Sequence, residues 1–149
     1  MRQRFALVFN DTAGTIRPWL LDRVLTVLRE AGAVVQPLQT ASAAEASLKV
    51  RALAIEGALN GIIAAGGDGT VRAVAAGVAG SDLPVGYIPL GTGNVLKYEI
   101  GLGSRPEEIA STLLHGSCLD VRCGLVNGAP FFLMAGAGFD ARIVAGLGH

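Results

Sequence analysis

The sequence predicts an α/β fold: a parallel sheet with helices on both faces, followed by the start of a β-rich domain. Three observations lead there. Apolar runs of strand length alternate with helical periodicity through the first 117 residues. Such unbroken runs are what strands buried on both faces look like. Three of the four strands run into glycine-bearing or Asx-bearing loops, where a parallel sheet presents its ligand-binding edge. After Cys118 the pattern changes to two short apolar runs around Asn127-Gly128, the strongest short hairpin signal.

Arg4–Phe9 reads as the first strand. Pro18 suits the first turn of a helix, where no backbone donor is needed. Ile16, Leu20, Val24, Val27, Leu28 and Ala31 then follow helical spacing up to Gly32, a C-terminal stop. Ala33–Leu38 is a second strand. Ser42-Ala43-Ala44-Glu45 is a capping-box pattern, followed by a stripe at Leu48, Ala52, Ile55 and Leu59. Gly61–Ala65 is the third strand, Thr70–Val78 a short helix and Pro84–Ile88 the fourth strand. A helix runs from about Gly93 to Ile100, and Ser104-Arg105-Pro106-Glu107 repeats the capping logic before Ile109 and Leu113. Leu119–Val126 and Phe131–Ala135 flank the hairpin turn. The expected organisation is therefore an α/β domain over residues 1–117 and the opening of a second, β-rich domain over 118–149.

With 149 residues, 51% of them hydrophobic and 16% charged, the chain has enough apolar surface to fold. Twelve basic and twelve acidic residues give a formal net charge of zero, which argues against nucleic acid as a partner. Cys118 and Cys123 are expected to be buried small hydrophobes, in keeping with a reducing, cytoplasmic setting. Phe5–Phe9 is too short for a signal-peptide core, and no run approaches the roughly 20 apolar residues that span a bilayer. Peripheral contact with the inner membrane face stays open, and Trp19 is expected in the core rather than as an interfacial anchor.

The chemistry concentrates in the loops. Gly66-Gly67-Asp68-Gly69-Thr70 joins the third strand to a helix. Its glycines let backbone approach a ligand, and the helix N-terminus offers unpaired N–H groups to an anion. Asp68 fits such a place if its partner is magnesium, directly or through water, or a hydroxyl proton. The plainer alternative is a tight βα turn with a capping acid. Pro89-Leu90-Gly91-Thr92-Gly93-Asn94 repeats the arrangement after the fourth strand, and Asn10-Asp11-Thr12-Ala13-Gly14-Thr15 adds a polar turn after the first. Together they favour one phosphorylated ligand gripped from several sides. Thr40, taken alone, reads as a second cap residue.

Other phosphate and catalytic signatures fail. The only lysines, Lys49 and Lys97, follow no glycine, so there is no P-loop. No nucleophile elbow, zinc-helix motif or zinc-spaced cysteine pair occurs. Gly136-Ala137-Gly138-Phe139-Asp140-Ala141 matches a dinucleotide fingerprint but follows a hairpin strand instead of opening a βαβ unit. His115, at a helix end, and His149 have no visible catalytic partner.

Gly66–Thr70, Pro89–Asn94 and Gly136–Ala141, in this order and spacing, resemble the signatures of the diacylglycerol kinase catalytic-domain superfamily, which includes bacterial lipid kinases and sphingosine kinases. The first element is shared with NAD kinases and phosphofructokinases; the second singles out lipid kinases. The resemblance implies transfer of the γ-phosphoryl group of Mg-ATP to a lipid hydroxyl, of the diacylglycerol or sphingoid kind. It also implies an N-terminal nucleotide domain and a C-terminal β-rich lipid-binding domain. By position, Asn10 and Thr40 would border the nucleotide and Gly14 would shape the first loop. Gly66, Gly67, Gly69 and Thr70 would hold phosphates, with Asp68 as the metal-linked or proton-accepting acid. Gly91, Thr92, Gly93 and Asn94 would line the nucleotide pocket. Asp11 replaces the family's proline, and Arg72-Ala73 replaces its Asn-Glu, so an acidic group near the phosphates is expected to be missing. Family members run to about twice this length, so the 149 residues are expected to bind nucleotide without completing transfer. The alternatives are an NAD kinase-like enzyme and a non-catalytic nucleotide-binding module.

Overall fold

A computed structural model of the chain describes residues 1–9, 17–127, 129–132 and 141–142. Four strands, β1 (Arg4–Phe9), β2 (Val34–Gln39), β3 (Gly61–Gly66) and β4 (Val85–Pro89), form one sheet in the order β2-β1-β3-β4. Every pairing is parallel, with Phe5 level with Val35 on one side and Gly61 on the other. The chain steps from β1 to one side, then returns to the other side for β3. This reversal puts a topological switch point at the carboxyl ends of β1 and β3, where open α/β sheets hold ligands.

Alternation along the strands sorts the core into two layers. Phe5, Leu7, Ile63, Ala65 and Ile88 pack against α1 (Pro18–Glu30) and α5 (Pro106–His115). Ala6, Val8, Ile62, Ala64 and Tyr87 face the other way, against α2 (Ala43–Glu56) and α3 (Asp68–Val78). The expected sandwich of a parallel sheet between helices is what forms. The short α4 (Val95–Glu99) follows β4, and β5 (Gly124–Val126) pairs antiparallel with β6 (Ala129–Phe131). Asn127 carries the positive φ of 51° that an Asn-Gly hairpin turn requires. The chain divides into two compact units, Met1–Leu119 and Asp120–His149.

Several expectations need correction. The α2 stripe lies on the wrong side: Leu48 and Ile55 are 71% and 81% exposed, whereas Ala46 and Val50 are buried. The close approach of α3 selects the smaller face, because a Cβ at Gly77 would lie 2.7 Å from the Ser47 carbonyl oxygen and 2.8 Å from Val50 Cβ. Trp19 is exposed, since the buried face of α1 begins at Leu20 and repeats at Val24 and Leu28. Cys118 and Cys123 are also exposed, in segments outside any strand. β2 is an edge strand and mostly exposed, which explains how it tolerates Pro37. α3 starts two residues earlier than predicted, at Asp68, while α4 is shorter than predicted. β5 is shorter than predicted, and β6 starts at Ala129 and ends at Phe131, where the second run was expected to begin; the part of that run at 133–135 lies outside the described residues.

Capping follows the predicted logic with shifts in detail. The Ser42 hydroxyl accepts from Glu45 N, but the Glu45 carboxylate reaches back one residue further than a standard box, to Ala41 N at 2.8 Å. At α5 the cap is Arg105, not Ser104. Glu108 accepts from the backbone N–H groups of both Ser104 and Arg105 and from the Arg105 guanidinium, while the Ser104 hydroxyl accepts from Lys97 Nζ. The segment ahead of β1 is tied down by Arg2. Its N–H donates to Leu114 O, and its guanidinium donates to Leu113 O, Gly116 O and the Cys118 sulfur.

Candidate functional site

The carboxyl ends of the strands bring two glycine loops together. Beyond β3 and β4 the hydrogen-bonded ladder continues, as Leu90 N and Gly91 N both donate to Gly66 O at 2.9 and 3.2 Å. Gly91 then lies against Gly67 backbone to backbone: a Cβ at Gly91 would fall 2.6 Å from Gly67 Cα. A Cβ at Gly67 would meet Gly91 Cα at an ordinary 3.6 Å, so Gly91 is the glycine that permits the loop-to-loop contact.

Asp68 bridges two helix starts. It occupies the first turn of α3, and its two carboxylate oxygens accept from Val95 N and Leu96 N, each at 3.0 Å, at the start of α4. These amides have no partner within their own helix, so Asp68 caps α4 from another element. The capping acid anticipated as the plainer reading is thus present, but it serves a different helix from its own. Gly67 O accepts from Thr70 N and Val71 N and closes the first turn of α3. The N–H groups of Asp68 and Gly69 have no partner among the described residues.

Asn94 is 4% exposed and takes a left-handed conformation with φ 50°. Its side chain is committed to its own loop: Oδ1 accepts from Gly91 N, and Nδ2 donates to Gly91 O. The Tyr87 hydroxyl, buried in β4, donates to the same Oδ1 at 2.8 Å. Burial first, and then the nearby charge of Asp68, push this phenol well above its ordinary range, so it remains a donor. Tyr87 went unread in the sequence. Its signal was a hydroxyl in an otherwise aliphatic strand, two residues before the Pro89 that opens the loop.

Gly66, Gly67, Asp68, Gly69, Thr70, Gly91, Thr92, Gly93 and Asn94 therefore gather at one sheet edge. Thr92, Gly93 and Gly69 are exposed there. Thr40 leaves the sheet at the same level as Gly66, one residue beyond the Phe9 register. It is buried and no helix cap: its N–H and its hydroxyl both donate to Phe9 O, while Ser42 takes the cap position. Asn10 and Gly14, and the fingerprint at 136–140, lie outside the described residues. Of the departures from the family pattern, Ala73 is buried in the α2-facing core, so that position points away from the loops, whereas Arg72 is exposed. Among the described residues no group of three or more acidic, histidine or cysteine side chains is placed to hold a metal ion. An open cavity of about 510 Å³ lies instead at the opposite strand ends, lined by Arg2, Asn60, Pro84 and His115 among others. No helix among the described residues is long and apolar enough to cross a membrane.

A diacylglycerol kinase from Bacillus subtilis is 34% identical over 142 residues, covering 91% of this chain and 46% of its own length. A diacylglycerol kinase from Staphylococcus carnosus is 28% identical over 141 residues, covering 93% and 46%. The chain thus spans less than half the length of these relatives. A crystal structure of a diacylglycerol kinase from Bacillus anthracis shares the fold with a TM-score of 0.71 at 23% identity, over 99% of this chain and 53% of that one. The family model for the diacylglycerol kinase catalytic domain matches residues 4–126, which include both glycine loops and the whole four-stranded sheet, and the chain belongs to that family.

Proposed function

We propose that this chain is the nucleotide-binding part of a lipid kinase, in which the γ-phosphoryl group of Mg-ATP passes to a lipid hydroxyl. Residues 1–117 form the nucleotide domain in this reading, and 118–149 open the lipid-binding one. Gly69 carries the proposal. It sits in the first turn of α3 with no positive φ, and a Cβ there would meet nothing within 4 Å. A glycine in a helix weakens it relative to alanine, and here the fold gains nothing in return. A ligand oxygen approaching the free N–H groups of Asp68 and Gly69 accounts for the missing side chain.

Phosphoryl transfer needs positioning and neutralisation of charge more than covalent help. In the Gly66–Thr70 loop the Asp68 and Gly69 amides supply donors for phosphate oxygens, with Thr92 and Gly93 on the facing loop and Thr40, Asn10 and Gly14 bordering the nucleotide. Each Asp68 oxygen accepts one N–H and keeps a lone pair free, so a single carboxylate suits a magnesium ion held mostly by phosphate and water, directly or through water. When bound, that ion offsets the charge on the transferring oxygens.

A second reading, a nucleotide-binding module without turnover, draws on the commitment of Asp68 to α4. Calorimetry with Mg-ATP, followed by phosphorylation assays on the protein at the full length of its relatives, with diacylglycerol, a sphingoid base and NAD as acceptors, separates the readings. Gly69→Ala should keep or raise the parent melting temperature and weaken Mg-ATP at least about tenfold, the scale of one or two lost amide–phosphate bonds. Parent-like affinity in that variant overturns the proposal. Asp68→Ala should leave the fold intact and remove lipid phosphorylation; activity retained in it dismisses Asp68 as the acid. Binding with no transfer to any acceptor favours the module.

A further inference from the structure

The Asp68 carboxylate owes its place to the amides of Val95 and Leu96, and those amides owe theirs to Asn94. Asn94 is a non-glycine residue held at φ 50°, a conformation that persists only when its surroundings enforce it. Two of the enforcing contacts come from Gly91, within the same loop. The third, from the Tyr87 hydroxyl, joins that loop to the sheet core. Tyr87 is 4% exposed and packs in the buried cluster of Ala6, Val8, Ile62 and Ala64. Asn94 Oδ1 has two lone pairs, and Gly91 N and Tyr87 Oη take both.

We infer that Tyr87 is a positioning residue for Asp68: its buried hydroxyl, through Asn94, fixes the start of α4 whose amides hold the carboxylate. A phenylalanine would fill the same space in β4, so packing alone does not call for the hydroxyl. The hydroxyl also remains protonated, because burial and the charge of Asp68 both oppose its ionisation. Its reach to Asp68 is indirect, since the hydroxyl touches Asn94 and not the carboxylate. The functional weight of the inference rests on the reading of Asp68 given above; the geometric part does not.

The test compares Tyr87→Phe with the parent chain by residue-resolved amide hydrogen exchange. Ile88→Val, which trims the opposite face of the same strand, controls for general loosening. In Tyr87→Phe the Val95 and Leu96 amides should exchange roughly tenfold faster, the scale of one buried hydrogen bond, while Ile62–Ala64 exchange as in the parent. Unchanged exchange at Val95 and Leu96 overturns the inference. So does equal acceleration at those amides in Ile88→Val, or acceleration spread evenly over β3 and α4 in Tyr87→Phe, since either makes the effect one of core stability. Mg-ATP calorimetry forms a separate arm. If the parent binds and Tyr87→Phe binds several-fold more weakly, with its melting temperature within that of Ile88→Val, positioning extends to the ligand. Failure of the parent to bind removes the functional reading and leaves the exchange result to decide the positioning.

Discussion

At Gly91 a hydrogen atom occupies the space where any side chain would strike the Gly67 backbone. A methyl group there would stand 2.6 Å from Gly67 Cα and 3.0 Å from Asn94 Oδ1, and backbone cannot swing aside as a long side chain can. Gly91→Ala should therefore cost about 1–3 kcal/mol by overpacking, read as a lowered midpoint in urea unfolding. Gly69→Ala, in the first turn of α3, should cost nothing measurable. The sequence treats these two glycines alike, because a glycine-rich loop states only that side chains are unwelcome. What stands in the vacated space is a tertiary fact: a second backbone at Gly91, open solvent at Gly69. Asp68 and Asn94 repeat the lesson. Their presence in loops beside helix starts was legible from residue type, but the partners of each carboxylate and amide atom lie up to 28 residues away.

At the scale of elements, the strands were more readable than the helix faces. β1 and β3 are buried on both sides and consist of apolar runs that admit few other placements. α2 is different. Alanines and aliphatic residues wrap around it, so Ala46 and Val50 compete with Leu48, Ala52 and Ile55 for the role of core face. Size favours the second set. Proximity to α3 at Gly77 decides for the first. Val50→Ala should then lower unfolding free energy by about 2 kcal/mol, the value of two buried methyl groups with a partly filled cavity. Ile55→Gln should change it by no more than about 0.5 kcal/mol, as at other exposed positions. The reverse ranking would return the helix to the face expected from periodicity.

For the whole molecule, the parallel sheet between helices and the edge that holds the loops followed from a repeated βα pattern and from the rule that ligands collect beyond the carboxyl ends, whereas the order β2-β1-β3-β4 came only with the structure. Two helix starts contribute to the acid response of this fold. Hydrogen bonds from Lys49 and Ala41 hold Glu45 below the usual carboxylate range, and the Arg105 side chain and backbone do the same for Glu108. A carboxylate with a lowered folded-state value adds stability above its unfolded value, and that stability is lost as pH falls through the folded one. Melting temperature should therefore decline as pH drops below about 4.5, the reference value of both groups. The decline should be shallower in Glu45→Gln/Glu108→Gln, and smaller in high salt because both groups are exposed. The Arg2 clamp has a different consequence, in time. β1 occupies the middle of the sheet and is made first, yet the residue before its first neighbours is bonded to carbonyls and sulfur up to 116 positions later. At ribosomal speeds of 5–20 residues per second, that strand waits on the order of ten seconds for its last anchor. Throughout that interval the nascent chain carries an apolar centre that its later half has yet to enclose.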